Sequence, residues 1–112
     1  MKKIISGFVV TVSLAFANPS FAGYEDGNNL YQYCKEGSLE WQKAVCIGYV
    51  TAIADMLENG HPFTAMQACI PDASRLQLAD IVVAYFKDNP SRRHYLASGE
   101  VTYALMQAFP CR

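Results

Sequence analysis

Six Cys and His side chains in this sequence could hold a metal or act as nucleophile or base: Cys34, Cys46, Cys69, Cys111, His61 and His94. Three chemistries compete for them. A thiolate beside an imidazole would be a nucleophile, clustered Cys and His would hold zinc, and paired cysteines would staple the chain. The spacing speaks against zinc, because there is no Cys-x-x-Cys or His-x-x-x-His pair and the histidines are far apart. A reactive cysteine is a poor reading in an oxidising compartment with three potential disulfide partners. Either histidine could serve as a general base, but neither has a nucleophile near it in sequence. We therefore expect two disulfides, no metal, no cofactor and no catalysis.

The compartment is read from the start of the chain. Lys2 and Lys3 precede an apolar run from Ile4 to Ala17, and Ser20-Phe21-Ala22 places small residues at both recognition positions of a signal-peptidase site. The pattern predicts residues 1–22 as a signal peptide cleaved after Ala22, with residues 23–112 as a single exported domain. The run is too short for a membrane anchor, which needs about 18 or more apolar residues, and no cysteine marks a lipoprotein site. The whole chain carries nine Lys and Arg against ten Asp and Glu; without Lys2 and Lys3 it has seven against ten, a net charge of −3. That balance excludes a nucleic-acid groove, since the only basic cluster is Arg92-Arg93-His94.

The elements that must position these residues are helices. Asn28 can cap a short first helix carrying Leu30 and Cys34, with Gly37 ending it. A second helix is expected from about Ser38 to Glu58, with Trp41, Val45, Tyr49, Ala52, Ile53 and Met56 on its apolar stripe, and Asn59-Gly60 stops it. The stretch from His61 to Ala73 is irregular yet carries Phe63, Met66 and Ile70. Either Cys69 pins it while Phe63 and Ile70 plug the end of the bundle, or it presents Phe63 and His61 to a partner.

Ser74-Arg75-Leu76-Gln77 has the form of a capping box and opens a third helix. Its apolar stripe is Leu76, Ala79, Val82, Val83 and Phe86. Asn89 and Pro90 should start the fourth helix at once, with Ala97, Val101, Ala104, Leu105 and Ala108 as a stripe of mostly small residues. Arg92, Arg93 and His94 then fall near a first turn, where the helix dipole disfavours positive charge. Either a salt bridge to Asp88, Glu100 or an acid on a neighbouring helix offsets this, or an acidic partner does.

The fold class expected is all-α, a small disulfide-stapled bundle of about four helices. In an up-and-down bundle, Cys34 and Cys46 lie near one end and Cys69 and Cys111 near the other, which predicts the pairs Cys34–Cys46 and Cys69–Cys111. By the loop-entropy model these are worth about 3 and about 4 kcal/mol.

Several short runs, in order, resemble a known family. They are Leu-Tyr-x-x-Cys at 30–34, Cys-x-Gly-Tyr at 46–49 followed by Asp55, Cys-Ile-Pro at 69–71, Val-Val-x-Tyr-Phe-Lys-Asp-x-Pro at 82–90, Arg93-His94, and Ala-Phe-Pro-Cys at 108–111. Together with the four cysteines they are similar to the Rap/Tai family of type VI secretion immunity proteins. The resemblance implies a small helical periplasmic protein, commonly a homodimer, that occludes the cleft of a peptidoglycan amidase effector. It also marks departures: Ala52 stands where Gly is expected, Asn89 where His is expected, and Glu100 where an apolar residue is expected.

On this reading the effector contacts are one or both of two protruding segments, with Asn59, His61 and Phe63 in the first and Asp88, Arg92, Arg93 and His94 in the second. These place polar and aromatic groups on turns supported by stapled helices. The alternative function is a small periplasmic acid-stress chaperone, which would need apolar surface exposed by acid.

Overall fold

The structure, a computed structural model, describes residues 23–58 and 65–112. The predicted signal peptide and the stop at Asn59-Gly60 lie outside the described residues. Four α-helices make up the fold: α1 (Gly27–Cys34), α2 (Glu40–Glu58), α3 (Arg75–Asp88) and α4 (Ala97–Ala108), with a 3-10 turn at Pro90–Arg92 between the last two. No strand occurs among the described residues. The core is a single cluster in which Phe86, Leu30, Leu105, Val50, Val82 and Val101 are fully enclosed. Each such side chain contributes about 1.5–3 kcal/mol by leaving water.

Both disulfides form as the bundle geometry predicts, Cys34–Cys46 between α1 and α2 and Cys69–Cys111 between the loop before α3 and the tail after α4. The first bridge also decides which face of α2 turns inward. Cys46, Val50, Ala54 and Leu57 are buried, whereas Trp41 is 58% exposed, and Val45, Ala52 and Met56 also face outward. The expected stripe is thus mainly the outer one. α2 is apolar on both sides, so periodicity alone could not choose between them, but Cys46 must face Cys34 and carries Val50 and Ala54 inward with it.

α3 opens with the complete capping box: the Gln77 amide N–H donates to the Ser74 hydroxyl at 3.1 Å, and the Ser74 N–H donates to Gln77 Oε1 at 2.7 Å. Its buried stripe is Leu78, Ala79, Val82 and Phe86. Leu76, expected in the core, is 60% exposed, because it sits in the first turn on the far side from Leu78.

The corner after α3 differs from the expectation. Pro90 starts only a 3-10 turn, and α4 begins at Ala97. The reason lies in α1, whose cap is Asp26 rather than Asn28; the Asp26 carboxylate accepts the Asn29 N–H at 2.8 Å. The free N–H groups of Gly27 and Asn28 donate to the carbonyls of Tyr95 (2.9 Å) and Arg93 (2.7 Å). Those carbonyls would otherwise receive α-helical bonds from residues 99 and 97, and the Ala97 N–H instead donates to the Glu25 carbonyl at 3.0 Å. Docking the start of α1 therefore keeps residues 93–95 out of the helix.

The approach is close enough to require glycine. A Cβ on Gly27 would lie 2.8 Å from the Arg93 carbonyl oxygen and 2.8 Å from the Phe86 ring. α1 itself ends at Cys34, and Gly37, with φ of 85°, makes the turn that follows. α4 buries Ala97, Val101, Ala104 and Leu105 as expected, but Ala108 is exposed at its last turn, and Glu100 is buried among the apolar residues.

Candidate binding surface

The residues of the connector 89–96 are fixed by polar contacts with the helices around it. The Glu100 side chain, on the first turn of α4, is 4% exposed and takes three charged or polar donors. Arg92 Nε donates to Glu100 Oε1 at 2.7 Å, Arg92 Nη2 to Oε2 at 2.8 Å, and the Tyr85 hydroxyl to Oε1 at 2.7 Å. The Arg92 guanidinium also lies over the rings of Tyr95 (4.9 Å) and Tyr103 (5.6 Å). A carboxylate in an apolar cluster is costly unless paired and hydrogen-bonded, and here both oxygens are engaged.

The protonation behaviour follows. Burial pushes the Glu100 carboxyl up, but the hydrogen bonds from Arg92 and Tyr85 outweigh it and hold the group below its ordinary value. The Tyr85 phenol is pushed up to about 12 by burial and by donating to the Glu100 anion. Arg92 is held still more firmly in its charged form by its bonds to Glu100.

Arg93 is anchored differently. Its Nε donates to the Phe86 carbonyl at 2.7 Å, and its guanidinium lies 4.3 Å from the centroid of the Tyr31 ring. Asn89 Nδ2 donates to the Tyr85 carbonyl at 2.8 Å and closes the end of α3. The His94 ring packs against Tyr95 with centroids 4.1 Å apart, and both residues are exposed. Arg92, Arg93 and His94 thus form one fixed element, with Asp88 exposed just before it. Asn59, His61 and Phe63 lie outside the described residues.

A second feature is apolar. An open groove of about 670 Å³ runs between α2 and α4, walled by Met56, Met66, Tyr103 and Met106 and floored by Ile53 and Leu57. Gly99 leaves open space on the α4 side. Among the described residues, no charged one lines it. From Ala44 to Ala54, three turns of α2, there is no charged side chain, although Ala44, Val45, Gly48 and Ala52 face solvent. A soluble helix ordinarily carries charge on its outer face.

Sequence reasoning did not find the groove or the roles of Tyr95 and Tyr103. The outward α2 stripe was visible but assigned to the core, and Glu100 was visible as an acid at a position expected to be apolar. Glu100 was also one of the acids expected to offset the Arg92-Arg93-His94 charge, and it is the one that Arg92 meets, eight residues on. Among the described residues no helix is long and apolar enough to cross a membrane, and no group of three or more Cys, His, Asp or Glu could hold a metal.

A small all-helical domain, stapled twice and presenting a fixed polar connector beside an apolar groove, belongs to the class of disulfide-stapled binding domains. The model of the Rap1a immunity proteins matches residues 26–111, nearly the whole of the helical domain, and the chain belongs to that family. Membership implies a type VI immunity role and the binding of a cognate effector. No curated protein and no solved structure matches the chain.

Proposed function

We propose that the protein is a periplasmic immunity protein that binds a peptidoglycan amidase delivered by type VI secretion and occludes its cleft, with no chemistry of its own. Residues 1–22 act as the export signal and residues 23–112 as the mature domain. The observation that carries this is the family match across the whole stapled domain, residues 26–111. The two disulfides agree with an exported protein, since such bridges persist in oxidising compartments. The effector-facing surface is the connector with Asp88, Arg92, Arg93 and His94, alone or with the Asn59–His61–Phe63 segment.

The protein acts as a homodimer, and the outer face of α2 from Ala44 to Ala54, which carries no charge, with the adjoining groove is the surface suited to a second copy. The direct test is rescue. The candidate amidase effector, exported to the periplasm, should lyse cells unless this protein is exported with it. Lysis despite co-export, or rescue by a version retained in the cytoplasm, rejects the proposal.

A further inference from the structure

The connector carries two adjacent guanidinium groups, and the structure gives them unequal duties. Arg92 is spoken for. Its charge is matched by the buried Glu100 through two hydrogen bonds, and its plane is covered by Tyr95 and Tyr103. Arg93 is also held in place, but without compensation of its charge. Its one hydrogen bond goes to the neutral Phe86 carbonyl, its plane rests on Tyr31, and it makes no ion pair among the described residues. The nearest acids in sequence are otherwise placed: Asp88 is not within ion-pair distance of it, and Glu100 is taken by Arg92 and Tyr85; Asp26, on the docked start of α1, accepts from Asn29 as that helix's cap.

We propose that Arg93, flanked by the exposed His94, receives a carboxylate from an acidic segment of the effector, and that Arg92 serves only to position the connector. The inference rests on the effector-binding reading given above and names the chemistry of its partner. With Nε engaged, a guanidinium keeps its two terminal nitrogens and their four N–H donors, which suit the two oxygens of a carboxylate. The anchoring at Phe86 and Tyr31 has already removed much of the rotamer freedom that binding would otherwise have to freeze. The chain outside the leader has a net charge of −3, so attraction to an acidic segment is local rather than general, and a local charge match fixes its register. Charge complementarity of this kind acts at contact range and yields to salt.

The test uses the full mature protein and the purified candidate amidase, the hydrolase that the reading above makes its partner, with binding measured by calorimetry and each free variant melted in parallel. Arg93→Gln removes the charge and should weaken binding by about 10- to 100-fold, the range for a charge-assisted hydrogen bond, while Arg93→Lys should lose less. A second reading needs no variant. Wild-type affinity should fall steadily as salt is raised from about 0.05 to about 0.5 M, where the screening length shrinks from above 10 Å to a few ångströms. Wild-type binding that is indifferent to salt overturns the inference, as does an Arg93→Gln variant that melts like wild type and binds within about twofold of it. A wild-type protein that does not bind the hydrolase overturns the reading above and this inference with it, so the two failures are distinct.

Discussion

At the N-terminal end of α3, residues 65–74 are tied down covalently by Cys69–Cys111 and by backbone bonds from Ala68 to the Leu57 carbonyl (3.3 Å) and from Cys69 to the Phe109 carbonyl (2.9 Å). At its C-terminal end, about 20 Å away by helix rise, residues 89–96 have no covalent tie. They are held by the Glu100, Arg92 and Tyr85 cluster, by Arg93 on the Phe86 carbonyl, and by the α1 amides on the Arg93 and Tyr95 carbonyls. One corner is closed by restricting the unfolded chain, the other by satisfying donors and acceptors in the folded one. The first should respond to reductant and be nearly indifferent to pH; the second should do the reverse.

The largest effect should come from the covalent end. Removing the second bridge with Cys69→Ala and Cys111→Ala together should cost about 4 kcal/mol on the loop-entropy account, a large share of the roughly 5–13 kcal/mol expected for a domain of this size. Hydrogen exchange would locate the loss. The amides of Ala68 and Cys69 should lose protection first, while those of Gly27, Asn28 and Ala97 persist to the global limit. Uniform loss at both corners would show that the two ends of α3 do not open separately.

Next in size is Glu100→Ala, which leaves Arg92 and the Tyr85 hydroxyl without their acceptor. A cost of about 1–3 kcal/mol follows from the lost charge-assisted bonds and the unpaired donor, with the protection pattern reversed: Gly27, Asn28 and Ala97 should exchange faster than Cys69. Denaturant melts and exchange on the same variant check it.

The smallest effect is the acid response of the connector. The Glu100 carboxyl is held below its unfolded value, so the stability it contributes is present above the unfolded pKa of about 4.3 and is lost as pH falls through the lower folded value. Wild type should therefore lose stability as pH drops below about 4 by more than Glu100→Gln does, so that the stability gap between the two is largest at neutral pH and shrinks in acid. Thermal melts across that range give the answer, and parallel curves for the two proteins would place the acid sensitivity elsewhere.

Much of the first corner was legible in the sequence. Cysteines at known places along an alternating bundle leave few sensible pairings, and Ser74 with Gln77 announces the start of α3 in four residues. The second corner was not, for a physical reason. Pro90 is equally compatible with an α-helix and a 3-10 turn, and the choice is made by the backbone of α1, sixty residues earlier in the chain, which claims the Arg93 and Tyr95 carbonyls. The face of α2 was misread for a related reason: both sides are apolar, and only the disulfide distinguishes them. The immunity family was legible because several of its motifs lie at turns and cysteines, where residue type is dictated locally, whereas the choice of Glu100 over Asp88 as the partner of Arg92 depends on how residues 93–96 fold.

Gly27 sits beneath the connector with no room for even one carbon, against the Phe86 ring on one side and the Arg93 main chain on the other. A methyl group placed there would act as a wedge, lifting the exposed residues above it without altering any of them. A change in the shape of the exposed connector can thus arise at a buried position beneath it, and a survey limited to outward-facing side chains would overlook it.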